Sequence, residues 1–171
     1  MSSNTGTTAA VAAPLGDALR RHALADAQFL AAAARQLGLT YRDALALDHL
    51  AHGGPLSASD LAGRLHLSAS GASALVHRLE AAGHVVRCGD RRGSPVRATS
   101  RAIGLLAEAR APLVSAIGEL CEALAPQRRD EVARFLQAAA ALAERAAGRL
   151  AGEARSRARH ALAAPEPPLW A

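Results

Sequence analysis

Five arginines, Arg87, Arg91, Arg92, Arg97 and Arg101, fall between His84 and Arg101, against a single acid, Asp90. That stretch carries +4 of a formal net charge of +5. A guanidinium group stays charged at any physiological pH and presents a rigid fork of donors to phosphate. Such a cluster is the footprint of a polyanion site. The basic residues are all arginine, as GC-rich coding would produce, so the position of the charge carries the argument and its type does not.

Just upstream, Ser70, Ala74, His77 and Ala81 fall at helical spacing, opposite Ala72, Leu75, Val76 and Leu79, with Ser73, Arg78 and Gly71 on the flanks. A face that meets only water carries Glu, Lys and Arg, whereas this one is small and nearly uncharged. Hydroxyls and an imidazole can bond to base edges or phosphates, and alanine admits close approach and can touch a thymine methyl. A partner helix would also suit so small a face; the adjacent basic stretch favours a duplex.

Other chemistries find less support. His49 and His52 lie three apart and His84 precedes Cys88 by four, but no third and fourth metal ligand is nominated. Cys88 and Cys121 are too few for a disulfide framework and too far apart to form a redox pair. No P-loop, G-x-G-x-x-G or nucleophile elbow is present. The reading is therefore of a protein that is not an enzyme and needs no cofactor. No apolar run reaches the roughly 18 residues that span a bilayer. The opening "MSSNTGTTAAVAAPLGD" lacks a basic n-region, so a cytoplasmic location is expected.

Positioning these residues requires helices. The chain of 171 residues is alanine-rich, with 2% aromatics, and reads as mostly α. Residues 1–14 read as a disordered leader. Leu15, Leu19, Ala23, Ala27, Leu30, Ala34 and Leu37 then mark a helix that stops at Gly38. Thr40 caps the next helix, which ends at Gly53-Gly54-Pro55; Ser57 with Asp60 forms a capping-box variant for a short third. Ser68 caps the helix described above, completing a helix-turn-helix. Behind it, "HVVRC" and "SPVRAT" flank "GDRRG", a β-hairpin wing. A long helix follows from about 101, with Pro112 inside it, and another from Pro126 to about 150. Residues 151–171 read as the end of that helix and a Pro-rich tail.

From "LSASDLAGRLHLSASGASALVHRLEAAGHVVR" through "DRRGSPVRAT", this order resembles the MarR (multiple antibiotic resistance regulator) family of bacterial winged helix-turn-helix regulators. Leu79, Glu80 and Gly83 match the end of the family's second helix, and Asp90, Arg92 and Thr99 match its wing spacing. The resemblance covers roughly residues 15–150. It implies a single unit, with helices 15–38 and 101–150 forming a dimerisation region around a DNA-binding lobe at 39–100. The implied function is that of a homodimeric repressor of a pseudopalindromic operator, released by a small molecule.

Taken with the residue reading, the expected DNA contacts are Ser68, Ser70, Ser73, Ala74, His77, Arg78, Arg87, Arg91, Arg92 and Arg97. The resemblance further implies that Arg92 enters the minor groove and that Asp90 orients the wing through an ion pair, with Arg78 as its suggested partner. Tyr41, Arg42 and His49 are the candidates for an effector pocket. The family often has arginine where Ala74 stands and an acid where His77 stands, so base preference does not transfer. Two alternatives stay open: an architectural protein binding DNA without sequence choice, and a protein-interaction dimer.

Overall fold

A computed structural model describes residues 4–91 and 93–163 of the chain. In order, the elements are α1 (Asn4–Gln36), α2 (Tyr41–Gly53), α3 (Ala58–Arg64), α4 (Ala69–Ala81), β1 (Val85–Arg87), β2 (Val96–Ala98), α5 (Ser100–Glu122) and α6 (Pro126–Ala163). The chain divides into two compact units, residues up to Pro112 and residues from Leu113 onward. It is a mostly helical protein with one two-stranded antiparallel sheet.

In the first unit the caps do what their sequence spacing requires. Thr40 Oγ1 accepts from the Asp43 backbone N–H at 3.1 Å, and the Asp43 carboxylate accepts in return from the Thr40 N–H. Ser57 and Asp60 repeat the arrangement at the start of α3. These reciprocal bonds satisfy orphan donors of each first turn. Between α3 and α4 the chain turns through His66, whose φ of 51° lies in the left-handed region. Helix α4 ends in a Schellman motif. Gly83, with φ 72°, lets its own N–H reach Glu80 O and the His84 N–H reach Leu79 O.

The apolar stripe of α4, Ala72, Leu75, Val76 and Leu79, is buried as its spacing predicts, and its three larger members pack with Leu47, Leu50, Leu61, Val85 and Val96. Ala102 and Leu106 of α5 close the same core. A smaller cluster joins Leu30 and Ala34 of α1 to Ala44 of α2. In the wing, Val85 faces Ala98 and Arg87 faces Val96. Leu56 exchanges two backbone hydrogen bonds with Val96, 3.0 and 2.8 Å, which ties the wing to the segment before α3.

The amino-terminal helix is longer than the sequence suggested. Helix α1 begins at Asn4, so residues 4–14, expected to be a disordered leader, are helical and Pro14 lies inside the helix. Four of residues 9–13 are alanine, the strongest helix former, which offsets the one backbone bond that proline removes. Helix α6 continues past residue 150 to Ala163; the Pro-rich residues 164–171 lie outside the described part. At the turn into α6, Arg129 donates from Nε to Leu124 O at 2.9 Å and from Nη2 to Glu122 O, capping the carbonyl end of α5.

One carboxylate gives a pH prediction. Hydrogen bonds from the Ser57 side chain and backbone hold the Asp60 carboxyl below the ordinary aspartate range, with a smaller contribution from Arg64. A lowered native value means that the capping contribution is complete above the unfolded pKa, about 3.9, and is lost as pH falls through the native value. Melting midpoints measured on acidification should therefore fall faster for the wild type than for Asp60→Ala, with the two converging at the lowest pH.

Candidate nucleic-acid interface

The second helix of the helix-turn-helix presents its open side as expected. Ser68, Ser70, Ser73, Ala74, His77 and Arg78 are all exposed, while the four apolar positions opposite them are buried. Ser68 Oγ accepts from the Gly71 N–H at 3.1 Å, capping the helix, and lies 3.1 Å from Ser70 Oγ. The helix therefore offers exposed hydroxyls, a methyl and an imidazole along one side, over a frame held by the core beneath.

The wing arginines divide into two kinds. Arg91 at the hairpin tip and Arg97 on the outer side of β2 are exposed and carry no ion pair among the described residues. Arg87 is engaged: its Nε lies 3.1 Å from Glu80 Oε1, and its Nη2 donates to Glu80 Oε2 at 3.2 Å. This two-pronged pair runs from β1 to the last turn of α4. Arg92 lies outside the described residues.

The expected pairing of Asp90 with Arg78 is corrected by the structure. Arg78 Nη2 instead donates to Asp43 Oδ1 at 2.8 Å. Asp90 is exposed at the tip and has no ion pair among the described residues, so the wing is held by Arg87–Glu80 and by the Leu56–Val96 bridge. The partnership was missed because nothing in the local sequence singles out Asp43 beyond its place three residues after the Thr40 cap. Its link to Arg78 crosses 35 residues, and no local pattern reports such a contact.

The three effector candidates are all on α2. Tyr41 and Arg42 are exposed, and His49 is half-buried. Arg42 and His49 are seven residues apart and share a side of the helix at about 10 Å of rise, which leaves Tyr41 apart from them. A further polar contact lies close to them: Arg110 of α5 reaches Asp48 at 3.3 Å, and His52 Nδ1 lies 3.6 Å from the same carboxylate. Cys88 and Cys121 are both free and exposed. Among the described residues no group of three metal-ligating side chains converges, and no helix is long and apolar enough to cross a membrane.

A helix-turn-helix closed by a β-hairpin, with long helices before and after it, defines a winged-helix protein. Residues 37–94 match the model of the MarR family. That match falls on the winged lobe and, over those residues, bears out the resemblance read from the sequence. Solved structures agree on the fold. A MarR family protein from Bacillus stearothermophilus is 21% identical with TM-score 0.59, covering 80% of this chain and 96% of that one. The MarR family protein Rv2887 of Mycobacterium tuberculosis, in complex with p-aminosalicylic acid, is 28% identical with TM-score 0.51, covering 74% and 98%. Its complex with DNA is 27% identical with TM-score 0.50, covering 72% and 95%. No curated protein matches the chain.

Proposed function

We propose that this MarR-family regulator binds double-stranded DNA as a homodimer, represses transcription, and is released by a small molecule. The observation that carries the DNA reading is the pairing of a small, uncharged, exposed α4 face with free arginines on the adjoining wing. The complexes of Rv2887 with DNA and with p-aminosalicylic acid support a duplex as partner and an aromatic acid as the class of effector to try first. In this reading the α4 side chains meet base edges in the major groove and the wing follows the backbone.

Support for the dimer comes from the second unit. Among its described side chains none is buried, and Val114, Leu120, Phe135, Leu136, Leu142 and Leu150 all stand exposed. Helices with so much apolar surface need a partner to cover it. A two-fold related copy would supply one and would match a pseudopalindromic site.

Two substitutions test the division of labour. Arg97→Ala should weaken binding to every duplex and reduce the slope of log affinity against log salt by about one unit. His77→Ala should instead change which base pairs are preferred, by about 1–3 kcal/mol at the affected position, with little change in binding to random duplex. Affinities for selected and random duplexes at two salt concentrations separate these outcomes. An unchanged slope for Arg97→Ala, or an unchanged preference for His77→Ala, removes the corresponding role.

A further inference from the structure

The Asp43–Arg78 pair does not behave as an incidental surface contact. Arg78 sits on the flank of the exposed α4 face, where a free guanidinium would be a natural phosphate ligand. Its partner is a carboxylate whose side chain is only 8% exposed, against 55% for Arg78. Both oxygens of that carboxylate are occupied. Oδ1 accepts from Arg78 Nη2 at 2.8 Å, and Oδ2 accepts from Thr40 Oγ1 at 2.7 Å and from the Thr40 N–H at 3.3 Å. Moving Arg78 to a phosphate would strip a buried carboxylate of the one cation paired with it among the described residues, a change that proteins resist strongly.

Through this contact α4 is fastened to the first turn of α2. That turn is itself fastened to α1, because the Leu39 N–H reaches Ala34 O at 2.8 Å and Ala44 packs on Leu30 and Ala34. Near its other end, α4 is fastened to the wing through Glu80 and Arg87. Both charged residues in the second half of α4 are therefore committed inside the lobe. What remains open, Ser70, Ser73, Ala74 and His77, carries no permanent charge.

We propose that Asp43 is a positioning residue for the DNA-reading helix, with Arg78 as a strut that sets how α4 is presented and not as a contact to DNA. This rests on the DNA-binding reading above. It follows that discrimination between sequences depends on a carboxylate outside the reading helix, whereas general attraction to DNA does not.

The test measures binding of the full-length wild type and of Asp43→Ala, Asp43→Asn, Arg78→Ala and the double alanine variant. Each is titrated against a duplex selected by the wild type and a random duplex, at two salt concentrations. Asp43→Asn retains an acceptor for the Thr40 cap while removing the charge, so it reports on the strut even where the alanine variants fold poorly. Each single variant should lose roughly tenfold in preference for the selected duplex, and the double variant should be no worse than the poorer single, as for two residues acting as one unit. The salt slope on random duplex should be unchanged throughout. An Arg78→Ala slope lower by about one unit, with Asp43→Asn retaining full preference, would place Arg78 on a phosphate and overturn the assignment alone. A wild type that prefers no duplex would overturn the DNA-binding reading and this assignment with it.

Discussion

Removing residues 126–171 should leave a folded winged lobe that no longer dimerises and binds its operator about 10²–10⁴ times more weakly. The range is that expected when two linked half-site contacts become one. The first unit has its own core, built from Leu47, Leu61, Leu75, Leu79, Val85 and Val96, so its fold does not depend on α6. Helix α6 spends its apolar residues otherwise: Val132, Phe135, Leu136, Leu142 and Leu150 are each more than 40% exposed in the single chain. Sedimentation together with operator titration checks both halves. A truncated protein that stays dimeric would assign the two-fold contact elsewhere.

Leu79→Ala should have the largest effect on stability. Leu79 is 2% exposed, packs beneath the reading helix, and supplies the backbone carbonyl that receives the His84 N–H at the helix end. Truncating a buried leucine costs about 2–5 kcal/mol through lost transfer energy and the cavity left behind. In a unit of this size each kcal/mol lowers the melting midpoint by about 4–8 °C, so a fall of 10 °C or more is expected. Ser73→Ala, on the exposed side of the same helix, should leave the midpoint nearly unchanged. Thermal denaturation of the two variants side by side makes the comparison.

The contrast between those two positions also shows what could be read from residues alone. The buried set Ala72, Leu75, Val76 and Leu79 and the exposed set Ser70, Ser73, Ala74 and His77 follow from a 3.6-residue period, which is local information. The Thr40 and Ser57 caps and the hairpin after Gly83 are local as well, and all are present. The strands come out short, three residues each, because beyond Arg87 and Val96 the pairing continues only through the Cys88 N–H to Pro95 O bond.

What escaped was the disposition of charge between elements. Arg78 had a plausible partner twelve residues ahead in Asp90 and takes one 35 residues behind. The Arg87–Glu80 pair was not anticipated, because Glu80, seven residues earlier, comes alongside only once Gly83 has reversed the chain. Both arginines, expected as DNA contacts, have a carboxylate partner within the lobe as well. The extent of α1 was missed for a different reason: threonines and Pro14 argue locally for a leader, and alanine propensity outweighs them.

The most direct test of the DNA-binding reading is a selection from fragmented genomic DNA by the full-length protein. The preferred duplex is then titrated against a random duplex of the same length at fixed salt. The account predicts a pseudopalindromic winner with half-sites about one helical turn apart, bound by two chains and preferred by about 10³-fold or more. Equal affinity for both duplexes would point to an architectural protein, and no binding to either at low salt would point to a protein-interaction dimer. Either result would contradict a sequence-reading regulator.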